Sequence, residues 1–68
     1  MTTEADFYAY IETVDPIIRA DVEGIAWTNA WADGARDEYS TDSEAWSAAV
    51  DTAKMIADAP SDFGIECK

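Results

Sequence analysis

The side chains able to do chemistry in this 68-residue sequence are almost all carboxylates: fifteen Asp and Glu against four Lys and Arg, with one cysteine and no histidine. Carboxylates can exchange protons, ligate hard cations or present charge to a cationic partner. Acid–base work needs a pocket that drives two carboxyl pKa values apart, and a chain this small is not expected to build one. The usual nucleophile–base pairs are missing as well, since Cys67 stands alone beside the C-terminus. A calcium loop over Asn29–Ser40 would put Asp33-Gly34 at positions five and six, but Trp31 at position three and Ser40 at position twelve, which excludes an ordinary EF-hand. The expectation is no enzyme, no metal and no cofactor.

Presentation of charge is the use that remains. The formal net charge is −11. Such a chain is repelled by nucleic acid and by anionic membranes, and is drawn to strongly basic surfaces. The commonest of these in a cell are surfaces that hold DNA or RNA. Acids run from Glu4 to Glu66 rather than collecting in a tail, which favours a folded acidic surface. The candidate partner-binding residues are Asp33, Asp37 and Glu38 near the end of a second helix, Asp42 after them, and Glu44, Asp51 and Asp58 on a third. The last three recur every seven residues, so their carboxylates stand roughly 10 Å apart along one helix edge. Opposite an apolar stripe, one such row is what any amphipathic helix shows. The distinguishing feature is that only Arg19, Arg36, Lys54 and Lys68 compensate it anywhere in the chain.

Three helices are needed to position these groups. The first begins at Thr2 or Thr3, with Glu4 and Asp6 in its opening turn and Phe7, Ile11 and Val14 on one stripe, flanked by Tyr10. Asp15-Pro16 ends it and starts the next, as N-cap and first helical residue. The second runs to about Asp33 with a broad apolar face suited to a central helix. Ile18, Val22, Ile25 and Ala32 line one side, Ile17, Trp27, Trp31 and Ala35 the other, and Ala26 and Ala30 fall opposite. Gly24 disturbs it and permits a kink; Asp33-Gly34 stops it, or it continues to Tyr39. Thr41 with Glu44 fits a capping box for the third helix, which runs to about Asp58 before Pro60. Trp46, Ala49, Val50, Ala53 and Ala57 form its apolar face, with Ile56 at the margin. The tail, with Phe63 and Ile65 two apart, is expected to run extended and fold back.

The whole, residues 1–68, reads as a single acidic all-α domain of three helices with a short C-terminal extension. The chain has no leucine. A domain of this length buries only roughly 60% of its unfolded surface, so stability is marginal. Thirteen alanines favour helix, and Trp27, Trp31 and Trp46 are expected to fill the core, leaving Tyr8 and Tyr39 as the exposed rings. No apolar run approaches a membrane span. The acidic N-terminus lacks a signal peptide's basic start, and one cysteine implies no disulfide, so a cytoplasmic setting in a host cell is expected.

Asp42-Ser43-Glu44 at a helix start is similar to the modified serine of acyl carrier proteins, but Glu44 stands where those carry leucine. In size, single-domain build, excess of acids throughout and lack of a catalytic set, the chain resembles the small acidic proteins of phages that inhibit host defence, above all the anti-CRISPR proteins that imitate DNA. Such proteins share no motif, so no residue is carried over. The resemblance implies an inhibitor acting by binding, its acidic face entering the basic channel of a CRISPR effector subunit where PAM duplex or target strand is held. The alternatives are a non-mimic interaction protein, such as an antitoxin-like binder of a basic toxin, or an acidic domain from a salt-loving organism, in which molar salt screens self-repulsion.

Overall fold

A computed structural model describes residues 1–65 of the chain. Three α-helices, α1 (Glu4–Ile11), α2 (Arg19–Trp31) and α3 (Asp42–Asp58), are supplemented by two single 3-10 turns at Ala35–Glu38 and Pro60–Phe63. The all-α expectation is met, with no strand among the described residues.

Each boundary has a local cause. Thr3 and Asp6 form a reciprocal capping box: the Asp6 N–H donates to Thr3 Oγ1 (3.3 Å) and the Thr3 N–H to Asp6 Oδ2 (2.9 Å). The α1 helix stops at Ile11, short of Val14. Asp15 is not the N-cap of α2, which is Ile18 without a side-chain cap; its Oδ1 instead accepts from the Ile17 N–H at 3.0 Å and shapes the turn before the helix. Nor is Pro16 the first helical residue; Pro16–Ile18 form a turn and α2 begins at Arg19. The Arg19 guanidinium folds back to donate to the Val14 and Glu12 carbonyls, each at 2.9 Å from Nη2, and so ties the turn to the start of α2. Gly24 does not break α2, which runs unbroken to Trp31. Asp33 (φ 53°) and Gly34 (φ 81°) then enter the left-handed region and end it. Thr41 caps α3, its Oγ1 accepting from the Glu44 N–H at 3.2 Å. Glu44 reaches back one residue further than a capping box requires, accepting from the Ser40 N–H at 3.0 Å.

The core joins Phe7, Ile11, Val14, Ile18, Val22, Ala26, Ala30, Trp46, Ala49, Ala53, Ile56 and Ile65. The α1 stripe is as expected, and in α3 Ile56 is fully buried rather than marginal. In α2 the expected face is rotated. Ala26 and Ala30, read as facing outward, are buried, whereas Ile25 is 38% and Trp27 40% exposed. The central element is α3, not α2: it packs against both other helices, and α1 and α2 scarcely touch. A face of alanines lets two helix backbones approach closely, and dispersion contacts between backbones replace those of large side chains. The tail folds back as expected but through the 3-10 turn and the left-handed Gly64, which bring Ile65 into the core and leave Phe63 outside. The body measures 38 × 22 × 15 Å, little more than one helix diameter in its thinnest direction. Cys67 and Glu66 lie outside the described residues.

Candidate functional site

Local structure places the seven candidate carboxylates in two groups. Asp33 sits in the left-handed turn after α2, Asp37 and Glu38 in the 3-10 turn, and Asp42 and Glu44 in the first turn of α3, where acids suit the helix dipole. Asp51 and Asp58 follow along α3, the latter at its last residue. All seven side chains are exposed. They are not equally free. Asp42 Oδ1 pairs with Arg36 Nη2 at 2.6 Å and accepts from Nε at 2.8 Å, and Glu44 is held by the Ser40 N–H. Asp33, Asp37, Glu38, Asp51 and Asp58 have no ion pair or side-chain hydrogen bond among the described residues.

The cations explain why. Arg19 is occupied by backbone carbonyls. Arg36 donates to the Tyr39 carbonyl at 2.7 Å as well as to Asp42, and its guanidinium lies over the Trp31 ring at 5.6 Å from the centroid. Lys54 stands over the Tyr10 ring at 5.8 Å. Arg36–Asp42 is the one ion pair among the described residues. Among the described residues Arg19, Arg36 and Lys54 therefore stitch turns and cover rings, and only Asp42 of the acids gains an ion pair. No described carboxylate is buried, and no three His, Cys, Asp or Glu converge to hold a metal ion among the described residues. No described helix is long and apolar enough to cross a membrane.

The tryptophans divide differently from expectation. Trp46 is buried and packs on Phe7, with centroids 5.6 Å apart, and on Trp31 at 4.6 Å. Trp31 is half-buried, and Trp27 stands outside the core altogether. Tyr8 is exposed as expected, but Tyr39 is half-buried. The outer surface of α2 thus carries a second feature that the acid pattern did not reveal. Two shallow grooves flank Gly24 and Thr28, one beside Asp21, Ile25 and Asn29, the other beside Tyr8, Glu23 and Trp27. The available signal was the surplus of apolar residues on α2 beyond what one buried stripe requires.

No family model matches the chain, and neither any curated protein nor any solved structure does.

Proposed function

We propose that this protein is an inhibitor acting by binding: an acidic decoy that occupies the nucleic-acid-binding site of a basic partner, a CRISPR effector subunit in a bacterial host being the partner that best fits. The observation that carries the reading is the exposed, uncompensated acidity. Helices and turns carry the acids, while among the described cations only Arg36 pairs with one of them, Asp42. Specific nucleic-acid-binding sites meet phosphates with Lys and Arg at positions set by the polymer. Carboxylates carried on helices and turns offer those cations an alternative without presenting bases or a scissile backbone. The reading includes no catalysis, cofactor or direct contact with nucleic acid.

The test is competition. Guide-loaded CRISPR effector complexes are titrated with the protein in the presence of labelled target duplex. One of them should lose target binding, and the loss should weaken steeply with added salt. Reversal at Asp37, Glu38, Asp51 and Asp58 to lysine, with Asp33→Asn to respect its left-handed backbone, should relieve inhibition cumulatively. Asp42 and Glu44 are spared because they hold the start of α3. A complex that forms equally well with saturating target DNA already bound, or that ignores these substitutions, overturns the decoy.

A further inference from the structure

A glycine in a helix interior costs about 1 kcal/mol against alanine, so Gly24 calls for a reason. None lies inside the molecule. Its φ is not in the left-handed region, α2 runs unbroken through it, and a Cβ added to it would meet nothing within 4 Å. Both grooves on the outer face of α2 include Gly24. Around it stand the large apolar side chains that α2 fails to bury: Ile25 on one side, and Trp27 with Tyr8 from α1 on the other. The missing Cβ matters only to something approaching from outside.

We infer that this face is a second, apolar contact, docking a row of apolar side chains flanked by Lys or Arg on the cationic partner. Charge complementarity selects the occupant. Asp21 edges one groove and Glu23 the other, and no cation lines either. A second copy of the chain would bring a formal charge of −11 against −11. Exposed Trp and Tyr in a partly enclosed setting are the residue types that anchor interfaces. The inference rests on the partner being cationic, as the decoy reading requires, but it places affinity on α2 where that reading places charge on α3 and the turns. Charge would steer and align the complex, and Trp27 would hold it.

The probe is a synthetic amphipathic helical peptide with a leucine stripe flanked by Lys and Arg, titrated into the ¹⁵N-labelled full chain. Amide shifts should concentrate at Tyr8, Gly24, Ile25, Trp27 and Thr28. Trp27→Ala should weaken binding by about tenfold or more, the loss expected of an interface anchor. Gly24→Ala is the sharper variant. It should raise the melting temperature by about 4–8 °C, as roughly 1 kcal/mol does in a domain of this size, and yet weaken peptide binding. Gly24→Ala that stabilises without weakening binding overturns the proposal. So does equal binding of the same peptide with Glu flanks, or sedimentation of the free chain as a dimer that Trp27→Ala dissociates. Shifts confined to Asp37, Asp51 and Asp58, abolished by their reversal, would overturn the apolar contact and leave the decoy standing. Binding lost with Trp27→Ala, with no effect of charge reversal on effector inhibition, would do the opposite.

Discussion

Helices α2 and α3 pack against each other through alanines on both, yet differ in what else they bury. In α3 the large side chains Trp46 and Ile56 point inward, while Met55 lies exposed with Glu44, Asp51 and Asp58. In α2 the buried face narrows from Val22 to Ala26 and Ala30, and the bulky Ile25 and Trp27 lie outside. The difference teaches that apolar size and burial are separate quantities in a body this thin. Where two helices meet closely, the seam takes small residues, and large ones are displaced to its margins or beyond. What α2 places outside is then available to another molecule.

The comparison breaks most readily at the tryptophans. Trp46→Ala should cost about 3–5 kcal/mol, enough to unfold the domain, because it removes a buried ring from the Phe7–Trp31 cluster. Trp27→Ala should cost under about 1 kcal/mol, as substitutions away from the core usually do. Urea unfolding followed by circular dichroism distinguishes them; comparable losses would mean Trp27 is a core residue after all. Next comes the seam. Ala26→Leu should destabilise by about 1–3 kcal/mol through overpacking. If leucine is accepted there without loss, α2 and α3 are not in close contact at that position. The start of α3 gives a smaller effect: Thr41→Ala should cost about 1 kcal/mol by orphaning the Glu44 N–H. Smallest, and opposite in sign, is Asp58. A carboxylate in the last turn faces the negative end of the helix dipole, and α3 has no basic residue there. Asp58→Lys should therefore raise stability by about 0.3–1 kcal/mol in low-salt thermal melts. A drop instead would mean that Asp58 makes a stabilising contact.

The contrast between the helices also explains what the sequence disclosed. Caps are short-range chemistry, so Thr3, Thr41 and the Asp33-Gly34 stop were legible from side-chain types alone, whereas Asp15 shapes a turn and leaves the α2 N-cap to Ile18. The α1 and α3 stripes were legible because each combines large apolar residues with acids opposite. The α2 face was not. With Ile25 and Trp27 on its flanks and alanines between, ranking by hydrophobicity turned the helix toward its flanks, whereas close approach to α3 selects the alanine seam. The candidate acids were legible as exposed positions. That Asp42 and Glu44 are engaged locally depends on where the chain between α2 and α3 turns, which single-residue patterns do not specify. The grooves around Gly24 depend on which face of α2 is buried, and that is set by tertiary packing rather than by the residue pattern of the helix itself.

The slender shape has a consequence for the ions around the molecule. A net charge of −11 along a body 38 Å long amounts to one charge per about 3.5 Å. A single nucleic-acid strand carries one per roughly 3.4 Å, and the duplex one per roughly 1.7 Å. In linear charge density the protein therefore matches one strand and falls to about half of the duplex. Its small ions are held less tightly than those condensed on duplex DNA. A cationic groove closing on it would free fewer of them per contact than it frees from B-form DNA.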